Sequence, residues 1–441
     1  MPQGPRPARA RTAPPDPRAG ALMLLRAVLG QGHTLAEARA TASTDFTRLD
    51  PPGQARALRL ALATLRHLDR ADAALAPHLR KAPPEPVRTL LRLAVTERMV
   101  FDAPAHGVVN AAVSMARASR KGAGLAGLVN AVLRKATDMP AAAWEALPPQ
   151  RMPGWLRAPM TAAWGADAVA AIEAAHVQGA TLDLSLRDAT QSARWAQDLG
   201  AEVLPTGSLR LPAGTPGAVS ALQGYDSGAW WVQDAAAALP ARLLGVRRGE
   251  RVLDLCAAPG GKTLQLAAAG AQVTALDISD ARMGRLRANL ARTGLAAKVV
   301  VADALDWHAP APFDAILLDA PCSASGTIRR HPDMPHARTA VDLDALAALQ
   351  ARLLDRVLDP SAGVLRPGGR VVYCTCSLLP AEGEAQIAAA LCRHPGARLA
   401  DLLLPGADPA WRADGGGWRT RPDFWQGKGG LDGFFMAALE T

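Results

Sequence analysis

The sequence of 441 residues has no run of eighteen apolar residues, and no signal-peptide pattern opens it. A membrane-spanning helix needs about 20 consecutive apolar residues. We therefore expect a soluble protein of the cytoplasm with no membrane partner. With 49% hydrophobic residues, a chain of this length can form roughly two to four domains with buried cores.

Cysteine is scarce, and its spacing argues against two structural roles. The number of cysteines is odd and they include no CxxC pair: Cys256, Cys322, Cys374, Cys376 and Cys392. A disulfide framework is not expected in a reducing compartment. The spacings do not fit a zinc site either, so we predict no metal. Buried packing and thiol chemistry remain as roles for these side chains.

Two nucleotide-binding motifs are incomplete in the stretch VLDLCAAPGGKT, residues 252–263. Its end, GKT, matches the end of a Walker A motif, but Cys256 stands where that motif requires its first glycine. The G-x-G-x-x-G fingerprint of hydride-transfer enzymes is absent, because the turn has only the adjacent Gly260 and Gly261. A cofactor without a pyrophosphate needs only close backbone approach, which small residues allow.

The net charge of +9 favours a polyanionic partner, most simply nucleic acid. Residues 1–17 are basic and rich in proline, so we predict a flexible arm, followed by a helical domain over residues 18–140. Basic side chains gather on and around the last two helical segments of that domain: Arg117, Arg120, Lys121, Arg134 and Lys135. They could contact RNA phosphates or form a solvated helix face, and the sequence leaves both readings open.

Proline-rich residues 139–153 predict a linker. Residues 181–225 alternate weakly around a helical Ser192–Leu199, which indicates a small α+β unit. We assign this linker and subdomain to residues 150–225 and the last domain to residues 226–441.

Strands and helices alternate from residue 251 onward, with strands VLDLC, VTALD, KVVVAD, DAILLD and RVVYCTC. This pattern predicts a parallel sheet with helices on both faces. In such sheets the ligand binds beyond the carboxyl ends of the strands. A polar residue stands at or near each end: Asp254, Asp277, Asp303, Asp319 and Cys376.

These strand ends fit S-adenosylmethionine better than a nucleoside triphosphate or a nicotinamide cofactor. Asp277 ends the second strand, where a carboxylate can accept hydrogen bonds from ribose hydroxyls. Asp303 ends the third, where it can accept from an adenine amino group. The sequence therefore predicts a methyl-donor site.

Cys322 follows Asp319 at the end of the fourth strand, and Cys376 ends the fifth, so both thiols should face one crevice. C5 of cytosine is a poor nucleophile, but a thiolate that adds to C6 converts the ring into an enamine, which can attack a methyl group. An acid near N3 assists the addition, and Asp319 is placed for that role. The residues alone leave open which thiol attacks.

The passage HGVVNAAVSMA…GLAGLVNAVLRK resembles the helical RNA-binding domain of the NusB type. With VQDAAAAL, LDLCAAPGGKT, DAPCSASGTIRRHPD, YCTCS and DGFFMAAL, nearly the whole chain resembles the RNA cytosine-C5 methyltransferases, most closely the bacterial 16S ribosomal RNA enzymes of the RsmB (Sun) type. The resemblance implies a multidomain fold. An all-α NusB-like N-terminal domain and a small α+β middle unit precede an α/β Rossmann-like S-adenosylmethionine-dependent methyltransferase domain.

The resemblance also implies roles for individual residues. Cys376 is implied to be the nucleophile, and Cys322 to assist product release. Cofactor or active-site contacts are implied for Cys256, Ala257, Ala258, Pro259, Gly260, Gly261, Lys262, Asp277, Asp303 and Asp319. Lys262 could instead face the RNA.

The implied substrate is a specific cytidine of 16S ribosomal RNA. We further expect a small subunit that is not fully assembled and a protein that acts as a monomer. A tRNA cytosine-C5 methyltransferase and a catalytically degenerate RNA-binding or antitermination factor are the alternatives.

Four further positions carry expectations. Arg329 and Arg330 follow the Cys322 loop, and we predict that they hold RNA phosphate or stack on bases rather than form an ion pair in a solvated loop. Gly383 stands where the family favours asparagine, which weakens a helix-start role at that position. Cys374 is interpreted as a buried strand residue.

Overall fold

The computed structural model describes residues 16–42, 44–215 and 217–441. They form two compact units: one runs to Arg151 and includes His331–Ala337, and the other comprises the rest of the chain. Residues 1–15 of the predicted arm lie outside the described residues. Within these ranges no helix is long and apolar enough to cross a membrane.

The first unit is helical. Its helices before residue 152 are α1 Pro17–Gln31, α2 Leu35–Ala40, α3 Thr44–Thr47, α4 Pro51–Arg66, α5 Leu68–Leu75, α6 Glu85–Phe101, α7 Ala105–Ala118, α8 Ala126–Ala136 and α9 Ala141–Glu145. Asp16 caps α1 by accepting a hydrogen bond from the Arg18 amide at 2.9 Å. The apolar faces of the helices share one core, in which Leu25, Leu91 and Leu133 are fully buried.

Two features of the first unit were not predicted. The proposed linker contains α9, whose Trp144 is buried in the core of this unit. The amide of Leu35 at the start of α2 donates to the Asp333 carboxylate at 2.8 Å. Because the first amides of a helix have no partner within the helix, Asp333 completes the start of α2.

The remaining helices are α10 Gly154–Trp164, α11 Ala166–Gln178, α12 Ser192–Leu199, α13 Leu239–Leu244, α14 Gly261–Ala268, α15 Asp280–Thr293, α16 Met334–Ala337 (in the first unit), α17 Ala340–Leu358 and α18 Glu384–Arg393. The strands are β1 Asp183–Leu186, β2 Glu202–Val203, β3 Leu209–Arg210, β4 Trp230–Val232, β5 Arg251–Leu255, β6 Gln272–Asp277, β7 Lys298–Val301, β8 Phe313–Asp319, β9 Leu365–Thr375, β10 Arg398–Ala400, β11 Trp418–Thr420 and β12 Phe434–Glu440.

The small α+β unit contains an antiparallel sheet of order β2-β3-β1-β4. The helix predicted over Ser192–Leu199 is α12. The fourth strand of this sheet, β4, follows residue 225. The sheet therefore extends beyond residue 225, where the sequence suggested that the subdomain ends. Trp230 of β4 is fully buried.

The large sheet has the order β10-β12-β9-β8-β5-β6-β7, and β11 pairs with β12. The five predicted strands are β5 to β9 and pair in parallel, whereas β12 runs antiparallel to β9. Strand β5 has β6 on one side and β8 on the other, so the order of the parallel strands changes direction at β5. The carboxyl ends of β5 and β8 therefore flank the crevice where ligands bind in open α/β sheets.

Candidate active site

The turn after β5 brings the backbone close to a neighbouring helix. Cys256 and Gly260 have positive φ angles of 59° and 105°. A Cβ atom on Gly260 would lie 2.3 Å from a methyl carbon of Leu286 on α15, so a side chain does not fit there. Ala257 and Ala258 are buried in the same turn. Small residues are therefore required for the course of the chain into α14.

The acid at the end of β6 is tied to this turn. One Asp277 oxygen accepts from the Ala258 amide at 3.1 Å, and the other accepts from the Ser279 amide at 2.9 Å. Asp303 follows β7 and is exposed, with a hydrogen bond from the Leu305 amide at 2.9 Å. The structure therefore places Asp277 against the turn and Asp303 beyond the neighbouring strand.

Exposed apolar side chains accompany these acids. Ile278, directly after Asp277, is 69% exposed, and Val301, which is opposite Asp277 in the β6–β7 register, is 42% exposed. Exposed apolar surface near polar acceptors is a feature of ligand sites. Carboxylates can accept from ribose hydroxyls, and apolar side chains can cover an adenine ring. These residues therefore fit a nucleoside cofactor such as S-adenosylmethionine.

Lys262 and Asp319 form a largely buried ion pair. The Lys262 Nζ lies 2.7 Å from Asp319 Oδ2 and 5.1 Å from the centre of the Phe434 ring. Burial disfavours the lysine charge, but the Asp319 carboxylate outweighs it and raises the pKa of Lys262. The ammonium group of Lys262 is therefore held at the end of β8.

Asp254, the polar residue near the end of β5, is buried and accepts a hydrogen bond from the Thr263 hydroxyl. Burial raises the pKa of its carboxyl group to about 7. Asp254 joins the strand to α14 beneath the turn.

Two thiols lie together at the ends of β8 and β9. The Sγ atoms of Cys322 and Cys376 are 3.5 Å apart. Cys322 is buried, whereas Cys376 is partly exposed. The hydrogen bond with Cys376, and then burial, raises the pKa of the Cys322 thiol well above its ordinary value. Cys322 therefore stays protonated at neutral pH and can donate to the Cys376 sulfur. The Cys376 sulfur also interacts electrostatically with Lys262 and Arg330.

A buried carboxylate that sequence reasoning missed joins the two cysteine loops. Glu382 is 1% exposed. Its Oε1 accepts from the Ser323 amide at 2.8 Å and from Gln350 Nε2 at 3.1 Å, and its Oε2 accepts from the hydroxyls of Ser323 and Ser377. Each serine directly follows one cysteine of the pair. The repeated Cys-Ser dipeptide was the only sequence signal of this shared partner.

Two unusual residues noted in the sequence have physical explanations. Cys374 is fully buried, and its thiol donates to Asp319 at 3.4 Å, consistent with a strand residue. A Cβ atom on Gly383 would lie 2.6 Å from a guanidinium nitrogen of Arg419 and 2.8 Å from the Phe435 ring. Glycine leaves room for these side chains, and α18 begins directly after it.

The prediction that Arg329 contacts RNA was wrong. Its side chain is 1% exposed and pairs with Asp234 at 2.6 Å and with Asp432 at 2.8 Å. A guanidinium group enclosed by two carboxylates cannot reach a nucleic acid, and it instead joins three segments of the second unit. Arg330 pairs with Asp432 too, but 30% of its side chain is exposed, and its contact with RNA stays a prediction.

The predicted basic patch of the first unit consists of exposed side chains. Arg117, Arg120 and Lys121 lie at the end of α7 and in the following turn, whereas Arg134 and Lys135 lie at the end of α8. With a rise of 1.5 Å per residue, Arg134 is about 12 Å along the helix axis from the start of α8. The five cations therefore form two groups, whose contact with RNA stays a prediction.

The mixed sheet, the small-residue turn after β5 and the acids at the strand ends define the Rossmann-like methyltransferase class. Residues 241–440 match a family model described as 16S rRNA methyltransferase RsmB/F, and residues 15–138 match the NusB family. The chain belongs to the family of ribosomal RNA small subunit methyltransferase B.

Two relatives of that name support this assignment. The chain is 38% identical over 441 residues to the protein from Xanthomonas campestris pv. campestris and 37% identical over 451 residues to the one from Pseudomonas syringae pv. tomato. Each alignment covers 96% of both chains. A solved structure described as PH0851 has a TM-score of 0.73 at 24% identity and covers 98% of this chain and 100% of its own. The predicted fold class is confirmed, and the chain is a methyltransferase.

Proposed function

We propose that the protein transfers a methyl group to C5 of a cytidine in 16S ribosomal RNA through a covalent bond between Cys376 and C6. The observation that carries the proposal is the pair of thiols 3.5 Å apart, of which only Cys376 is partly exposed. The names of the relatives support ribosomal RNA of the small subunit as the substrate. A cytidine in folded RNA must be unpaired or flipped out to reach the sulfur, which favours a subunit that is not fully assembled.

S-adenosylmethionine is the methyl donor that the residues fit, and when bound it supplies an electrophilic methyl group. Asp277 would accept hydrogen bonds from the ribose hydroxyls and Asp303 from the adenine amino group. The backbone of residues 256–261 would lie against the cofactor, because this turn carries small side chains. Lys262 is occupied by Asp319, so we assign it to the cytosine side of the site.

The first chemical step forms a carbon–sulfur bond. The Cys376 thiolate adds to C6, and the electron pair of the C5–C6 double bond moves into the ring, where N3 takes up a proton. The Asp319 carboxylate contacts the polar edge of the cytosine ring, and the ion pair with Lys262 fixes the orientation of that carboxylate. The thiol proton of Cys376 is thereby transferred in net terms to N3, and the neutral enamine carries the electrons at C5.

The later steps restore the aromatic ring. C5 attacks the methyl group, loses its own proton to a base, and the bond between C6 and sulfur breaks while N3 gives up its proton. Cys322 is the group beside the sulfur that can exchange protons during this release. The hydrogen bond to Cys376 is the largest cause of the raised pKa of Cys322. That hydrogen bond is lost or weakened once the Cys376 sulfur is bonded to carbon. Loss of that hydrogen bond lowers the pKa of the Cys322 thiol, so that it can release its own proton to solvent and, as a thiolate, accept the proton from C5.

Covalent trapping tests this division of roles. RNA that contains 5-fluorocytidine cannot lose fluorine from C5 as it loses a proton, so the adduct with the enzyme persists. We expect the adduct with the unaltered protein and its loss in Cys376→Ala, while Cys322→Ala accumulates an adduct with ordinary RNA. Cys392→Ala, an exposed thiol on α18, is the matched control. Normal turnover by Cys376→Ala would disprove the mechanism.

Bisulfite sequencing of total RNA, with and without the gene, names the RNA and the nucleotide together. Loss of a modified cytidine in tRNA rather than 16S RNA would select the tRNA alternative. The intact pair of thiols and the Lys262–Asp319 ion pair argue against a catalytically degenerate RNA-binding factor.

A further inference from the structure

A cavity of about 490 Å³ lies in the second unit at the end of α14 that is remote from the cofactor turn. It is lined by β1, by the turn between β2 and β3, and by the last residues of α13 and α14. The eight residues of α14 span about 12 Å, so this cavity is separate from the turn at Gly260.

Several polar atoms at this cavity are buried without a partner. Ser185 is 2% exposed and Thr206 is 5% exposed, and neither hydroxyl has a hydrogen-bond partner in the part of the chain that the structure describes. The same is true of Nη1 of Arg242, whose Nη2 has a contact of 3.3 Å to the Ser208 hydroxyl. Buried polar groups are normally hydrogen-bonded, so three such atoms at one cavity point to a ligand.

The charge of the lining has one sign. Arg187 and Arg242 are its ionisable members, and no acidic side chain is among the described residues that line it. Arg242 also forms no ion pair with the carboxylates that the structure describes. Burial lowers the pKa of Arg242 to about 10. A largely buried guanidinium group without a counter-charge is stabilised by an anion.

We propose that this cavity binds a phosphate group through the Arg242 guanidinium and the hydroxyls of Ser185 and Thr206. A guanidinium group presents several donors in a plane that matches phosphate oxygens, and hydroxyl donors complete such sites. The phosphate can belong to an RNA backbone or to a free phosphate compound such as a mononucleotide. Only the first source rests on the proposed action on RNA.

Binding of inorganic phosphate to the full-length protein tests the site directly. At constant ionic strength, phosphate should raise the melting temperature relative to chloride, because a ligand of the folded state stabilises it. Arg242→Gln should weaken phosphate binding by about tenfold or more, as expected for loss of a charged hydrogen-bond donor. Arg247→Gln removes the same charge from an exposed position outside the cavity and should leave the phosphate effect unchanged.

Thr206→Val keeps the shape of the side chain and tests the cavity if Arg242→Gln does not fold. Because the hydroxyl has no partner, its removal should leave the melting temperature without phosphate equal or higher. The increase produced by phosphate should nevertheless become smaller. Together these two responses separate ligand binding from a structural role.

Two results distinguish the sources of phosphate. If the ligand is RNA, Arg242→Gln lowers RNA affinity, reduces the slope of log K against log salt by about one, and phosphate competes with RNA. If RNA binding is unchanged while phosphate binding is lost, the ligand is a free phosphate compound. The proposal is overturned if phosphate produces no stabilisation beyond chloride, or if Arg242→Gln and Thr206→Val respond to it as Arg247→Gln does. Adduct formation by Cys376 is measured separately and does not use this cavity.

Discussion

Replacement of Glu382 by alanine should destabilise the second unit by removing the acceptor shared by the two cysteine loops. The hydroxyls of Ser323 and Ser377 are 3.2 Å apart, so they can bond to each other after the change. The Ser323 amide and the side-chain amide of Gln350 each lose a buried charged acceptor. At about 1.5–3 kcal/mol for each of these two bonds, the free energy of unfolding should fall by about 3–6 kcal/mol.

Glu382→Gln is the matched control. Its carbonyl oxygen can replace the acceptor for the Ser323 amide, and its amide group can donate to the two serine hydroxyls, which are free to rotate. The loss of unfolding free energy should then stay within about 1 kcal/mol. Denaturant unfolding of the full-length protein measures both variants under one condition.

A second measurement reports the position of the thiols. Mild oxidation with diamide should join Cys322 and Cys376 quickly in the unaltered protein and in Glu382→Gln, because the sulfur atoms are 3.5 Å apart. In Glu382→Ala the loops lose their common partner and the rate should fall. If Glu382→Ala lost less than about 1 kcal/mol, or kept the original rate of disulfide formation, the assigned role of Glu382 would be wrong.

Two further predictions concern stability. Burial, followed by the charges of Arg70 and Arg66, lowers the pKa of His67 to about 4, so its neutral form is favoured in the folded state. The unfolded imidazole binds its proton near pH 6.5, and stability should therefore be lost as the pH falls from about 6.5 to 4, by up to about 3 kcal/mol. His67→Gln should lack this contribution, and a stability difference between variant and original protein that does not change with pH would contradict it. Gly383→Ala should cost about 1–3 kcal/mol by overpacking against Arg419, as measured by denaturant unfolding. Gly396→Ala, with open space around the added carbon, should be nearly neutral, and equal losses in both would refute the steric explanation.

The elements that sequence reasoning predicted are those with a local signal. The strands β5 to β9 are short apolar runs that end in polar residues, and α12 has its own helical periodicity. The strand β12 is an apolar run without alternation, and it is buried along nearly its whole length. Its antiparallel pairing with β9 depends on residues about 60 positions apart, which periodicity cannot indicate.

The same limit applies to the site. Cys322 and Cys376 could be placed together because both follow strands of one parallel sheet. Arg329 was misassigned because its partners, Asp234 and Asp432, lie 95 and 103 residues away in the chain. An arginine beside an active-site loop has the same local sequence whether it faces solvent or two buried carboxylates. Glu382 was missed for a similar reason, since its role depends on a meeting of two loops.

The contribution of Asp333 to the first unit has a consequence for the order of synthesis. The Leu35 amide precedes its partner by 298 residues. At a translation rate of about 5–20 residues per second, the ribosome needs roughly 15–60 s to reach that partner. The start of α2 is therefore complete only after about half of the methyltransferase domain has been synthesised. The helical unit is synthesised first, but its contacts are completed only after residue 333 has been made.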